Sequence, residues 1–217
     1  MPEVNLLKSL PQSKRNVEMR ENKKSDEHIR ISRLYGKEYF DGSRDYGYGG
    51  YKYDGRWKPV AKDIINHFRL NKGDKLLDIG CAKGFLVKDL CDLGIDALGI
   101  DISQYALDNS INSIKERLCL GNAKELPFSD NTFDAVLSIN TIHNLDRNGC
   151  ISALEEINRV SNSNKSFVQV DSYHTPEQKK IFESWVLTAK FYGYPHEWLE
   201  VFSEANYAGD WYWTIIN

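Results

Sequence analysis

Glycines and an aspartate at the ends of two apolar segments carry the most specific chemistry in the sequence. The stretch DIGCAKGF runs from Asp78 to Phe85, and Gly80 within it lets the chain turn sharply out of a buried strand. Gly84 lets a ligand or the next helix come close, and Asp101 ends the next apolar segment 21 residues after Gly80. A carboxylate at that place can accept hydrogen bonds from ribose hydroxyls. The spacing therefore predicts a nucleoside-binding site.

The same stretch matches the dinucleotide fingerprint GxGxxG poorly. When the pattern is laid on Gly80, it requires glycines at the positions of Ala82 and Phe85. Ala82 narrows the approach of a pyrophosphate, and Phe85 obstructs the close contact between helix and strand. We therefore expect an adenosyl ligand without a phosphate, and a nucleotide-dependent oxidoreductase is the least favoured function.

A segment rich in tyrosine and glycine precedes the first clear helix. Residues 45–57, DYGYGGYKYDGRW, contain four tyrosines and four glycines. Glycines permit motion, tyrosine rings can lie against a cation, and Arg56 can bind an anion such as a carboxylate. We interpret the segment as a lid or substrate-binding segment, with a fixed, packed loop as the alternative. The predicted substrate contacts here are Tyr46, Tyr48, Tyr51, Tyr53 and Arg56.

Several polar residues follow the later predicted strands. His143 could act as a general base, and the alternative is a histidine that fixes its loop through a hydrogen bond. Asp171, Tyr173 and His174 could contact a substrate, and capping of the strand end is the alternative for Asp171. Weaker candidates in a later turn are Lys190, Tyr192 and Tyr194.

Short apolar strands that alternate with helices must position these groups. This alternation predicts an α/β fold with a doubly wound, mostly parallel sheet and a site beyond the carboxyl ends of the strands. The strands are expected near residues 76–79, 97–100, 118–120, 133–139, 166–170 and 210–216. The helices are expected from residue 59 onwards and at residues 84–93, 103–117, 148–160, 176–190 and 195–206.

Composition narrows the class of protein. The chain has 217 residues, enough for one domain with an appended segment, and a net charge of −3 that argues against a nucleic-acid partner. No apolar run could span a bilayer, and the polar residues 1–30 are expected to form a solvated, partly mobile arm. Four cysteines without a CxxC pair indicate reduced thiols and a cytoplasmic protein. The five scattered histidines give no support for a metal site.

Four motifs stand in order near the ends of the predicted strands: LLDIGCAKG (76–84), GIDIS (99–103), GNAKELPF (121–128) and FDAVLSINTIHNL (133–145). Together they resemble the motifs of class I S-adenosylmethionine-dependent methyltransferases, of the small-molecule type 11 kind. The resemblance covers roughly residues 59–170 and implies a Rossmann-like fold that binds S-adenosyl-L-methionine. The family usually ends in a strand hairpin, whereas one strand is expected here, so we predict that the hairpin is missing or reduced to one strand.

The resemblance also implies roles for the matching residues. Two positions depart from the family pattern: Ala82 replaces a usual glycine, and Asn122 stands where aspartate is frequent. Asparagine still carries a carbonyl acceptor, so adenine recognition is expected to survive. The implied contacts are Asp78, Gly80, Cys81 and Gly84 with the methionine and sulfonium part, Asp101 with the ribose, Ile102, Asn122 and Ala123 with the adenine, and Asn140 with the methionine amino group.

The resemblance thus implies methyl transfer by in-line displacement to a small polar acceptor, a metabolite or sugar derivative, on oxygen or nitrogen. Residues 1–57 would form the arm and lid, and residues 58–217 the cofactor-binding domain. A cofactor-binding module without turnover, or an RNA or protein methyltransferase, are the alternatives. Neither a nucleic acid nor a membrane is expected as a partner.

Overall fold

One parallel sheet organises the chain, which the computed structural model describes over residues 3–11 and 17–216. The strands are β1 (Lys75–Ile79), β2 (Asp96–Asp101), β3 (Leu118–Leu120), β4 (Ala135–Ile139), β5 (Ser166–Asp171) and β6 (Asp210–Thr214). The helices are α1 (Val17–Lys23), α2 (Asp26–Ser32), α3 (Lys37–Asp41), α4 (Trp57–Phe68), α5 (Phe85–Asp92), α6 (Gln104–Asp108), α7 (Arg147–Val160), α8 (Pro176–Trp185) and α9 (Pro195–Glu204). Turns of 3₁₀ helix span Asn112–Arg117 and Ile142–Asn144.

The strands lie in the order β3-β2-β1-β4-β5-β6, and neighbouring strands are parallel. This arrangement confirms the expected doubly wound α/β fold. Strand order reverses direction between β1 and β4, and such a reversal opens a crevice at the carboxyl ends of the strands. The turns that follow β1, β2 and β4 therefore face one another across the expected site.

The core has two layers, one on each face of the sheet. Along β1, Leu76 joins the cluster that contains Ile64 of α4, whereas the next residue, Leu77, joins the cluster that contains Leu154 of α7. This alternation follows from the two-residue period of a strand, and a strand covered on both faces must be apolar throughout. Burying each leucine contributes about 1.5–3 kcal/mol. The strand ends, where the polar residues stand, are thus held on a rigid base.

A single strand closes the sheet after α9. β6 pairs with β5 in parallel register, from Phe167 opposite Asp210 to Asp171 opposite Thr214. The prediction that one strand replaces the family's closing hairpin is confirmed within the described residues. On the outer edge of β6, the Val4 N–H donates to the Trp211 carbonyl at 2.9 Å.

The helix predicted over residues 103–117 is wrong in its length. Ser103 caps α6 as expected, since its Oγ accepts from the Ala106 N–H at 3.0 Å, but the helix ends at Asp108 and a separate 3₁₀ turn follows. The Asn109 side chain donates to the Tyr105 carbonyl at 2.8 Å, and asparagine and serine side chains compete in this way with helix continuation.

The expectation of a solvated arm over residues 1–30 holds for most of its described part, where the residues are exposed or half-buried, but is wrong at its apolar anchors. Leu6 and Leu7 are buried in the cluster that contains Val60 of α4, and Val17 at the start of α1 packs against the cluster that contains Phe182 of α8. Apolar residues spaced among the charges provide this anchoring. Residues 1–2 and 12–16 of the predicted arm lie outside the described residues.

α8 ends at Trp185, five residues before the predicted end at Lys190. Residues 186–194 then run without helix towards α9 and leave Lys190 in a connecting segment.

The four cysteines, all within the described residues, are free thiols. Within the same part of the chain, no helix is both long and apolar enough to cross a bilayer.

Candidate cofactor and acceptor site

A cavity of about 410 Å³ opens at the carboxyl ends of β1, β2 and β4. Its volume falls in the range of small-molecule sites. One side, here called the strand-end side, is formed by Ile79, Gly80, Ala82, Ile100, Asp101, Ile102, Gly121, Asn122, Ala123, Asn140, Thr141, Asn144 and Leu145. The other side, here called the facing wall, is formed by Arg33, Leu34, Tyr35, Tyr39, Phe40, Tyr48 and Lys190.

Gly80 makes the sharp turn at the end of β1. Its φ is +79°, a conformation that other residues rarely adopt, and a Cβ here would overlap the Thr141 side chain. The Gly80 N–H donates to the Ile100 carbonyl at 2.7 Å and so ties the end of β1 to β2. Gly84 has φ +73°, and a Cβ there would meet Ile114 at 2.6 Å. Both glycines are therefore required by the local backbone.

Two main-chain donors hold the Asp101 carboxylate at the cavity. The Ala82 N–H donates to Oδ2 at 2.7 Å and the Ser103 N–H donates to Oδ1 at 2.8 Å. Ala82 points its N–H this way from a left-handed conformation with φ +52°. Because each carboxylate oxygen has a second lone pair, both oxygens can still accept from a ligand hydroxyl. Burial raises the pKa of Asp101.

Asp78 lies beneath this turn and is 5% exposed. Burial, followed by the negative charge of Asp101, raises the pKa of its carboxyl to about 7. A buried carboxyl with a pKa near neutrality gains stability when a cation binds beside it, because the cation favours the charged form. Asp78 is not among the residues that line the cavity, and its contact with a cofactor stays a prediction.

The residues predicted to contact an adenine lie together on the strand-end side. Ile102 is 58% exposed, which is unusual for an isoleucine and leaves an apolar face beside the cavity. Asn122 and Ala123 line the same region, and the Asn122 Oδ1 accepts from the Lys124 N–H at 3.0 Å. These positions suit a planar ring, and their roles remain predictions.

Asn140 is positioned from across the sheet. Its φ is +53°, and its Oδ1 accepts from the Thr214 hydroxyl at 3.1 Å. The Gln169 side chain donates to the same hydroxyl at 2.7 Å. β6 therefore helps to fix a residue of the strand-end side. The sequence did not predict a role for Thr214, because it comes close to Asn140 only through the pairing of β6 with β5.

The tyrosine- and glycine-rich segment reaches the cavity through one side chain. Tyr48 lines it and contacts the rings of Tyr39 and Phe40, with centroid distances of 5.2 and 5.7 Å. The other predicted contacts have partners elsewhere: Tyr46 stacks on His28, Tyr51 stacks on Phe85, Tyr53 donates to Asp89 and Arg56 pairs with Asp54. Their substrate roles stay predictions, and these contacts favour the packed-loop alternative.

Five further residues of the facing wall lie just upstream and were not predicted as site residues: Arg33, Leu34, Tyr35, Tyr39 and Phe40. Lys190, a weaker candidate from the sequence, completes the wall. A signal was present, because the stretch YGKEYF at 35–40 repeats the tyrosine and glycine content of residues 45–57. Within the described residues, the Tyr35 hydroxyl and the Asn144 Oδ1 are buried without a hydrogen-bond partner. Both residues line the cavity, so a ligand could supply the missing partners.

A buried ion pair fastens the N-terminal segment to the first turn of the site. The Lys83 ammonium, on a residue 6% exposed, donates to both Asp41 oxygens at 2.8 and 2.6 Å. The Tyr105 hydroxyl donates to the same carboxylate at 2.8 Å, and the Tyr51 N–H donates at 3.1 Å. These four contacts hold the end of α3 against the turn that follows β1.

His143 is 4% exposed and stands outside the cavity lining. Its Nδ1 accepts from the Asp171 N–H at 3.1 Å, and its Nε2 is 3.5 Å from the Asp171 Oδ2. Tyr173 is buried against Phe182, and the His174 main chain donates to Gln178. These contacts favour the loop-fixing alternative for His143, and the catalytic and substrate roles of all four predicted residues remain predictions.

Comparison with known proteins shows which proteins this chain resembles. A family model described as a methyltransferase domain matches residues 77–169. The uncharacterised protein MJ0638 of Methanocaldococcus jannaschii is 34% identical over 155 residues, which cover 62% of this chain and 66% of that protein. The sterol 4-C-methyltransferase strm-1 of Caenorhabditis elegans is 27% identical over 156 residues, which cover 66% of this chain and 45% of that protein.

A solved structure supports the fold. It is the complex between the Haloferax volcanii Trm112 methyltransferase activator and its candidate methyltransferase, with a TM-score of 0.56 and 22% identity over 67% of this chain and 65% of that chain. The chain thus spans between about half and two thirds of the length of these proteins. Residues 77–169 thus match a methyltransferase domain, and the motifs and sheet order of the chain resemble those of class I S-adenosylmethionine-dependent methyltransferases.

Proposed function

We propose that the protein transfers a methyl group from S-adenosyl-L-methionine to a small polar acceptor, on oxygen or nitrogen. The main support is that the strand-end side and the facing wall share one cavity. A nucleoside bound to the strand ends would leave its reactive end facing Tyr35, Tyr39 and Tyr48. A module that only bound the cofactor would not need this second, polar and aromatic wall.

The residues present fit the cofactor. Asp101 offers two oriented oxygens to the ribose, and Ile102 offers an exposed apolar face to the adenine. Asp78, with its pKa of about 7, suits the cationic amino group of the methionine part, and the Asn140 carbonyl is proposed to accept from the same group. When bound, S-adenosylmethionine supplies a methyl group activated by attachment to a sulfonium.

The chain's own task is then mainly to hold and shield the acceptor. Methyl transfer from a sulfonium needs little acid or base chemistry when the acceptor is already nucleophilic, so alignment at near-attack distance contributes most. The rings of Tyr39, Phe40 and Tyr48 can exclude water, and an aromatic face favours a nearby positive charge. Part of the free energy of binding would be used to order this wall.

The acceptor is proposed to be polar rather than a sterol, although one relative is named a sterol methyltransferase. The facing wall carries Arg33 and Lys190 beside its tyrosines. A large apolar ring system would have to bury these cations without partners, which is costly. A metabolite or sugar derivative satisfies them better.

Two measurements test the proposal. Calorimetry should show binding of S-adenosylhomocysteine and no binding of NAD, and tight NAD binding without adenosyl binding would refute it. Incubation with methyl-labelled cofactor and a small-molecule extract should then give labelled products. Cofactor binding with no transfer to any extract fraction would favour a binding module, and transfer confined to RNA or protein fractions would favour the third alternative.

A further inference from the structure

We propose that the methyl acceptor carries an anionic group, a carboxylate or a phosphate, that is bound by Arg33 and Lys190. This inference rests on the proposed function and names the class of acceptor for the same cavity. The two cations belong to segments far apart in sequence, one directly after α2 and the other between α8 and α9. Both line the cavity on the facing wall.

Arg33 is held in place through its side chain. Its Nη2 donates to the Ala189 carbonyl at 3.2 Å, across 156 residues of sequence. Within the described residues, the guanidinium of Arg33 makes this one hydrogen bond and forms no ion pair with a carboxylate. A guanidinium has five donors in a planar fork, so most of them stay available for a carboxylate or phosphate. A fixed and unpaired guanidinium is the expected form of an anion site.

Lys190 is held in place through its main chain. The His143 carbonyl accepts from the Lys190 N–H at 2.9 Å and from the Phe191 N–H at 3.1 Å. The ammonium has no ion-pair partner within residues 3–11 and 17–216. The main chain of His143 thus fixes the backbone of Lys190 at the edge of the cavity.

The charge balance of the cavity favours an anion. The carboxylate among the cavity-lining residues is that of Asp101. It already accepts from two main-chain N–H groups and is assigned to the ribose in the proposed function. The buried Tyr35 hydroxyl, which has no protein partner in the described chain, can donate to an acceptor oxygen. Arg33 and Lys190 are both exposed, so an anionic acceptor would pair with them through charge-assisted hydrogen bonds, whereas a neutral one would leave them to water.

A second groove leads to the same two cations. It has a volume of about 290 Å³ and is lined by Arg33 and Lys190 together with Lys24. The Lys24 ammonium donates to the Glu183 carbonyl, and burial, followed by the charge of Arg20, lowers the pKa of Lys24. The Glu183 carboxylate also lines the groove, where it lies 4.0 Å from Lys179. Cations therefore outnumber acids along the approach, and such a groove raises the local concentration of anions.

The test uses the full chain loaded with S-adenosylhomocysteine. Benzoate and phenyl phosphate are titrated against benzamide, a neutral molecule of similar shape, by calorimetry. We expect at least one anion to bind about tenfold or more tightly than benzamide, because charge-assisted hydrogen bonds are about twice as strong as neutral ones. The double variant Arg33→Gln, Lys190→Gln should lose this preference. Arg30→Gln is the matched control, since Arg30 lies on α2 and pairs with Glu27 outside the cavity.

The outcomes separate this inference from the proposed function. If S-adenosylhomocysteine binds equally well to the parent chain and both variants, the cofactor side is intact and the anion result can be read directly. Equal binding of benzamide and the anions, no anion binding at millimolar concentration, or an unchanged preference in the double variant would each overturn the inference. Failure to bind S-adenosylhomocysteine at all would instead overturn the proposed function.

Discussion

The two sides of the cavity are built in different ways. The strand-end side comes from neighbouring turns, and main-chain geometry at Gly80 and Ala82 sets its shape. The facing wall comes from segments around Arg33 and Lys190 that are far apart in sequence, and it presents side chains. The hydrogen-bonding groups of a surface made of main chain change little when residues are substituted. The chemistry of a surface made of side chains changes with each substitution. We therefore expect the strand-end side to determine the cofactor and the facing wall to determine the acceptor.

The largest expected effect tests the strand-end side through pH. Burial and then the charge of Asp101 raise the pKa of Asp78 from 3.8 to about 7. Between these values the folded protein keeps a proton that the unfolded chain has released, so the free energy of unfolding falls as pH rises. At about 1.4 kcal/mol per pKa unit, the whole loss is about 4 kcal/mol, of which about 1.5 kcal/mol falls below about pH 5. Chemical denaturation at about pH 5 and about pH 8 should therefore show a fall of about 3 kcal/mol.

Asp78→Asn should flatten most of this pH dependence, because the amide does not titrate. The exposed Glu155→Gln on α7 is the control and should leave the pH dependence as it is. Equal stability of the parent chain at both pH values would contradict the raised pKa. The affinity of the parent chain for S-adenosylhomocysteine should rise with pH across the same window, since ionised Asp78 attracts the amino group.

The next effect concerns the ribose contact. Asp101→Ala should weaken S-adenosylhomocysteine binding by about 2–4 kcal/mol, because it removes two charge-assisted acceptors. Asp96→Ala, at the opposite end of β2 and paired with Arg117, is the control and should bind normally. Calorimetry on both variants compares them. A change of less than about threefold for Asp101→Ala would rule out its ribose role.

A smaller effect tests how the two sides are joined. Asp41→Ala leaves the buried Lys83 without its partner, and we expect a loss of about 2–3 kcal/mol in the stability of the N-terminal segment. Hydrogen exchange should rise in residues 35–51 and stay unchanged in β1 and β4. Asp45→Ala removes an exposed pair with Lys23 and should cost less than about 1 kcal/mol. Uniform acceleration across the sheet would mean that the segment does not open separately.

The smallest effect on stability is expected at Tyr48. Tyr48 is 38% exposed and its ring packs on Tyr39 and Phe40, so Tyr48→Ala should lower the free energy of unfolding by about 1–2 kcal/mol while methyl transfer falls. Tyr46→Ala, which removes a ring stacked on His28 outside the cavity, should leave transfer unchanged.

Hydrogen exchange on residues 45–57 should slow when S-adenosylhomocysteine binds if the segment is a lid. Equal protection in both states would identify a fixed loop.

The contrast between the two sides also explains what the sequence could predict. Gly80 and Asp101 lie at the ends of apolar strands, so their local context indicates where they point, and the sheet order follows from the alternation of elements. Arg33 and Lys190 have no such context. Lys190 reaches the cavity because α8 ends at Trp185, and Arg33 is held there by its hydrogen bond to Ala189, which is far away in sequence. Neither the end of α8 nor this long-range contact is marked by a periodic pattern in the sequence.

The main-chain hydrogen bond between Val4 and Trp211 bears on the order in which parts of the chain fold. It joins segments separated by almost the whole chain, as does the packing of Val17 against the cluster around α8. Closing so long a loop costs more conformational entropy than pairing β1 with β2, so these contacts are expected to form after the central strands. Pulsed hydrogen exchange during refolding would show protection in β1 and β4 before α1 and β6. The segment around Val4, α1 and β6 would therefore reach their final positions last.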